Sequence, residues 1–193
     1  MAETKARYRN ATDAFDDWRE DLMTGTRPPR WAVGGPGFDA VELGPGLVLL
    51  LGGAPGAGKT ALAMQWTLDA LRLSPDLRAV VANVETSPAV LLDSQLARLS
   101  GIDLATIRSR AFTADHAERL DIGLAALEQA AQRLAFLCAP YDLANVAAAA
   151  DDFGAELLLL DYAQRINAPG QHADKRSGVN ALMDYLRQFA EAG

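Results

Sequence analysis

With 193 residues, half of them hydrophobic and 22% charged, the chain is long enough to bury one core, and this balance excludes wholesale disorder. The net charge of −7 excludes a protein coated in nucleic-acid-binding surface but leaves room for a local basic loop. A single cysteine (Cys138) excludes an internal disulfide and a thiolate metal cluster, and His116 and His172 alone argue against a histidine-rich zinc site.

The segment Met1-Ala2-Glu3-Thr4-Lys5 lacks the apolar stretch of a signal peptide. Apolar runs such as 47–51 and 157–160 are far too short to span a bilayer. The expectation is a cytoplasmic protein with no membrane partner. Phe15, Trp18 and Leu22 recur at helical spacing, and Arg27-Pro28-Pro29-Arg30 then breaks any helix. Residues 1–30 are accordingly an N-terminal arm and linker, and 31–193 the main domain. The Phe15/Trp18/Leu22 stripe either docks on a neighbouring subunit or folds back on its own core.

From Leu47 onward, short apolar strands alternate with longer helices. Strands are expected over 47–52, 79–84, 135–138 and 157–160, the second ending at Glu85 and the last at Asp161. Helices are expected over 59–73, from Ser87-Pro88 to a stop at Gly101, after Asp103, over about 113–134, from Asp142 to Gly154, and over about 177–192. Continuously apolar strands separated by helices predict a three-layer α/β domain with a mostly parallel sheet.

Gly53-Ala54-Pro55-Gly56-Ala57-Gly58-Lys59-Thr60 follows an expected strand and opens an expected helix, the context that makes this pattern a phosphate-binding P-loop. Its glycines let backbone N–H groups turn toward phosphate oxygens, and the helix N-terminus adds a favourable dipole. Lys59, one of only three lysines, would reach the β- and γ-phosphates and Thr60 would coordinate magnesium, so ATP and Mg2+ are the expected cofactors. Asp161 closes a four-leucine strand, where a Walker B carboxylate would face the phosphates and hold the metal's water shell. Glu85 is a candidate catalytic base for the attacking water. It reads equally as a solvated residue at a strand exit, and spacing does not choose. Met64 and Trp66 are expected in the core.

Glu85-Thr86-Ser87, with Leu91, Leu92, Arg98 and Gly101-Ile102-Asp103-Leu104-Ala105-Thr106-Ile107-Arg108 downstream, resembles the RecA-like motor domain of DnaB-type replicative helicases. Leu157-Leu158-Leu159-Leu160-Asp161-Tyr162-Ala163-Gln164 is similar to that family's Walker B strand, and Phe38-Asp39 to a shortened form of the segment before its first strand. The resemblance covers roughly residues 31–193. It implies Glu85 as base, Asp161 as metal carboxylate, and Gln164 as a link to DNA or a neighbouring subunit, although Gln164 reads equally as a polar residue after a strand. It also implies that the loop 167–176, with Lys175 and Arg176 and with Arg165 just before it, touches single-stranded DNA. Asp174 among those basic residues favours a solvated surface loop instead. The family further implies a hexameric assembly.

In the family the last helix is followed by another apolar strand, inserted between the glycine-loop strand and the Walker B strand. Here the sequence closes with the helix ending near Gly193. The expectation is an incomplete RecA-like core without its C-terminal strands, in which 47–52 and 157–161 are separated by a gap or pair directly, and which hydrolyses ATP slowly. Three other readings compete with a helicase motor. One is a RecA- or KaiC-like ATPase that remodels a protein partner, and another a P-loop small-molecule kinase, for which no clear lid insertion is visible. The third is a non-catalytic nucleotide-binding assembly module.

Overall fold

Local chemistry sets most element boundaries. The computed structural model describes residues 10–25, 29–167, 170 and 175–192. Helix α1 spans Ala11–Thr24 and α2 Lys59–Leu73. Strand β1 covers Ala79–Asn83, and α3, Pro88–Ser100, starts on Ser87 with proline in its first turn and stops at left-handed Gly101. The Asp103 carboxylate accepts the Ala105 N–H at 2.8 Å and opens α4, Leu104–Ser109.

A 3₁₀ turn, Ala114–His116, precedes α5, Ala117–Ala131, so the single helix expected over 113–134 is divided. The Thr113 N–H donates to His116 Nδ1 at 3.1 Å, a side-chain cap that competes with continuing the helix. Strand β2, Leu134–Phe136, is followed by α6, Leu143–Phe153, which Asp142 caps through the Asn145 N–H at 2.8 Å and Gly154 ends. Strand β3 is Leu157–Asp161, and after the 3₁₀ turn Ala163–Arg165 comes α7, Lys175–Ala192.

The sheet is parallel, in the order β2-β1-β3. Alternate residues of a strand face opposite ways, and both faces are covered. Ala79 and Val81 meet α2, α3 and α5 through Leu68, Leu71, Met64, Leu91 and Ala130. Val80 and Ala82, with Leu158 and Leu160, meet α6 and α7 through Val146 and Leu182. This is the three-layer arrangement that continuous apolar strands predict. Met64 and Trp66 lie in the core, and the Phe38 ring packs edge-on against Trp66 at 5.3 Å. Gly123 lets α5 approach α3 closely, since a Cβ there would lie 2.9 Å from Leu96 Cδ1 and 3.0 Å from Ser100 Cβ.

The first expected strand is corrected. Residues 47–52 pair with no strand among the described residues, and Leu47, Val48, Leu49 and Leu50 are 40–73% exposed. Apolar composition states what a segment tends to bury, but a strand also needs a neighbour with free ladder groups at the right distance. Among the described residues, strand β3 pairs with β1 alone. Of the two expected outcomes for 47–52 and 157–161, direct pairing does not occur. On α1, Phe15, Trp18 and Leu22 are more than half exposed, and the Phe15 and Trp18 rings lie 5.4 Å apart.

A largely buried ion pair ties α2 to α3. Arg98 donates through Nη1 and Nη2 to both oxygens of Asp69 at 3.0 Å, and through Nε to the buried Gln95 at 2.9 Å. Arg72 adds a contact to Asp69 at 3.3 Å. Arg98→Met keeps much of the packing but strips the bidentate bond, which should cost about 2 kcal/mol. The thermal midpoint should fall by roughly 4–8 °C in a domain of this size. An unchanged midpoint would show that the pair contributes nothing net.

Candidate functional site

Residues 53–60 join the unpaired segment to α2. Gly56 (φ 77°) and Gly58 (φ 84°) hold left-handed backbone, which only glycine enters without strain. A Cβ at either would meet nothing within 4 Å, so the requirement is conformational and the cradle is open. Residues 52–58 are exposed, while Lys59 and Thr60 are half-buried at the start of α2. Lys59 Nζ donates to the carbonyls of Gly53 at 3.0 Å and Ala54 at 2.9 Å. An open loop at a helix N-terminus, with an ammonium folded against it, fits a phosphate group.

Core packing brings the carboxylates toward this helix end. Met64, one turn after Thr60, packs with Val81, Leu91 and Leu159. Val81 and Leu159 lie two residues before the C-terminal ends of β1 and β3, and Leu91 lies in the first turn of α3. The start of α2 therefore sits toward the sheet edge that carries Asn83, Asp161 and the turn leading to α3. Asn83 and Asp161 are register partners, and Asn83 Nδ2 donates to Asp161 Oδ2 at 2.6 Å. Asn83 Oδ1 accepts the backbone N–H groups of Glu85 at 3.0 Å and Thr86 at 2.6 Å. Glu85 itself is exposed and Asp161 half-buried.

The donor set suits magnesium, which typically takes one or two carboxylates and relies on substrate phosphates and water for the rest. Thr60 and Asp161 would supply one hydroxyl and one carboxylate. Among the described residues no group of three or more His, Cys, Asp and Glu side chains could form an all-protein cage.

Beyond Asp161 the peptide to Tyr162 is cis. Gln164 and Arg165 are exposed on the 3₁₀ turn that follows. Arg165 Nε donates to the Tyr162 hydroxyl at 3.0 Å, and its guanidinium lies 5.9 Å from the Tyr162 ring centroid. The Tyr162 hydroxyl holds the Arg165 guanidinium above its ordinary pKa, and the Glu85 carboxylate adds a small push in the same direction. An arginine is charged at any working pH, so this shift leaves its charge unchanged.

Two hollows open there. One, of about 630 Å³, is lined by Val84, Tyr141, Tyr162, Gln164, Arg165 and Asn167. The other, of about 290 Å³, runs past Asn83, Glu85, Thr86, Ser87 and Tyr141. Neither includes the glycine loop, which lies open on the surface. The basic loop over 167–176 is corrected in part, because Lys175 and an exposed Arg176 begin α7. His172 and Asp174 lie outside the described residues.

Sequence reasoning missed Asn83 and Tyr141. A polar residue at the end of the apolar run Ala79-Val80-Val81-Ala82, two positions before Glu85, was the available signal for Asn83. Nothing in the local sequence marks Tyr141.

A parallel sheet with helices on both faces, preceded by a glycine loop that opens a helix, is the architecture of a RecA-like P-loop nucleoside-triphosphatase domain. A family model described as the DnaB-like helicase C terminal domain matches residues 39–192, and the chain belongs to that family. Among solved structures it is similar to a DnaB-like replicative helicase described with its interactions with primase. That match has a TM-score of 0.62 and 14% identity, covering 72% of this chain and 34% of the other. It is also similar to a second solved structure, described as an ATPase domain, with a TM-score of 0.63 and 13% identity over 72% and 50% of the two chains. The chain thus spans half or less of these solved chains, and identity this low speaks to the fold alone. No curated protein matches the sequence.

Proposed function

We propose that this chain is the ATP-hydrolysing motor domain of a DnaB-like hexameric DNA helicase, acting in the cytoplasm. The observation that carries the reading is the placement of the Gly53–Thr60 loop, Asp161 and Glu85 toward one end of a parallel sheet in a chain of this family. The loop amides and the Lys59 ammonium hold the ATP phosphates. Thr60 and Asp161 hold magnesium, which when bound neutralises charge developing on those phosphates. The Glu85 carboxylate orients the attacking water and takes its proton, so the chemistry rests on positioning and charge stabilisation.

Gln164, Arg165, Lys175 and Arg176 follow Asp161 in sequence and form the proposed contact with single-stranded DNA or a neighbouring subunit. The exposed Phe15/Trp18/Leu22 stripe of α1 docks on a neighbouring subunit. Among the described residues no helix is long and apolar enough to cross a membrane. The net charge of −7 favours a second reading, an ATPase that remodels a protein partner without moving on DNA.

Lys175→Ala with Arg176→Ala separates the two. The double variant should weaken single-stranded DNA binding and flatten its log–log salt dependence by roughly 1.4, at about 0.7 per lost phosphate contact. Anisotropy of a labelled oligonucleotide across a salt series reads both. A parent assembly that shows no binding at low salt would give the case to partner remodelling.

A further inference from the structure

We infer that Asn83 is a positioning residue that locks the metal carboxylate and the catalytic base into one unit. The inference deepens the function proposed above and rests on reading Asp161 as the metal carboxylate and Glu85 as the base. A buried amide reaches Asp161 with its nitrogen and the Glu85–Thr86 turn with its oxygen.

Asn83 is 8% exposed, and its side chain is committed at both ends. Its Oδ1 accepts two backbone N–H groups, from Glu85 at 3.0 Å and Thr86 at 2.6 Å. Its Nδ2 donates to Asp161 Oδ2 at 2.6 Å. The orientation of the amide follows from the chemistry of these partners. Flipping it would set an NH2 group against two N–H donors and a carbonyl oxygen against a carboxylate.

The amide plane therefore transmits position. A change in the Asp161 carboxylate pulls on Nδ2, and the same rigid plane carries Oδ1 and the Glu85 backbone with it. The backbone ladder supports the link, because the Val84 N–H donates to the Asp161 carbonyl at 3.0 Å. Few side chains fit this place. Alanine makes neither bond. Serine can accept from the turn in the manner of a hydroxyl-closed loop but is too short to hold Asp161 as well.

The test compares Asn83→Ala and Asn83→Ser in the full chain, using a fluorescent ATP analogue with magnesium or with chelator, steady-state turnover, and thermal unfolding as a control. In chelator, both variants should bind the analogue within about twofold of the parent, because the glycine loop is untouched. The gain in affinity on adding magnesium should shrink about tenfold in both, since each frees Asp161. Turnover should fall roughly hundredfold in Asn83→Ala, the scale on which small misplacements of reacting groups act, and less in Asn83→Ser, which keeps the turn. In a Glu85→Gln background at saturating magnesium and nucleotide, where the Asp161 arm is compensated, Asn83→Ala should lower turnover less than threefold further, because the arm that remains acts through the missing base.

Should Asn83→Ala fail to fold, Asn83→Ser carries the magnesium comparison alone. Variants that are merely less stable, with parental magnesium dependence and kcat, overturn the inference. Lys59→Ala distinguishes the two levels of failure. If it leaves magnesium-supported binding intact, the site reading and this inference fall together. If it abolishes binding while the Asn83 variants match the parent, the inference alone falls.

Discussion

Lys59→Ala is expected to remove most ATP binding while leaving the fold unchanged. The ammonium is a compact point charge at the start of α2, and its bonds to the Gly53 and Ala54 carbonyls place it against the loop that would carry the phosphates. Removing a charge-assisted contact to a polyphosphate costs about 3–4 kcal/mol, a loss of a hundredfold or more in affinity. The fold should not notice. The lysine is only half-buried, and alanine is the best helix former at an ordinary helical position. Titration with a fluorescent ATP analogue checks the first expectation and circular dichroism the second. A variant that binds within threefold of the parent would leave the glycine loop as a structural turn.

Glu85→Gln is expected to separate binding from chemistry. The substitution preserves shape, and the backbone at this position is held by the Asn83 amide oxygen, so the side chain starts from the same place. The neutral amide cannot accept a proton, and losing a positioned general base lowers turnover by about 10²–10⁴-fold. Affinity for the nucleotide should change little, since in the proposed site the phosphates would be held by the loop and Lys59. Phosphate release measured beside analogue binding gives both numbers. Parental turnover in this variant would make Glu85 a solvated residue at a strand exit.

The parts of the fold that were legible in the sequence are those whose causes are local. Pro88 opens α3 and Gly101 closes it, Asp103 and Asp142 cap the helices they precede, and Gly154 ends α6, each through chemistry confined to a few neighbouring residues, whereas Ser87, expected as a cap, makes no side-chain cap bond. Strand β3 was legible because four leucines ending in an aspartate leave little else to be. Residues 47–52 misled because pairing is not local. The segment has a strand's composition, but whether it joins a ladder depends on what lies beside it, and among the described residues β3 pairs only with β1.

The candidate site divides in the same way. The glycine loop and Asp161 could be proposed from residue type and position, because phosphate and metal chemistry narrow the choice, whereas Glu85 was singled out as the base only with the family resemblance. Asn83 could not, because its contact with Asp161 comes from register: Asn83 lies opposite Asp161 across a strand pair separated by 78 residues in sequence. Lys175 and Arg176 looked like loop residues, yet they form the first turn of α7, which places any contact they make on a helix end. The 630 Å³ hollow beside Tyr141 and Tyr162 was equally invisible, since its walls come from three separate stretches of chain.

If residues 53–60, Asp161 and Glu85 serve one nucleotide, a crystal structure of the chain with a non-hydrolysable ATP analogue and magnesium will show it most directly. The phosphates should be seated on the glycine loop, with Lys59 turned from the Gly53 and Ala54 carbonyls toward the terminal phosphate. The metal should be shared by Thr60 and the Asp161 water shell. A nucleotide lodged instead in the hollow between Tyr141 and Tyr162, with the glycine loop left bare, would contradict this assignment.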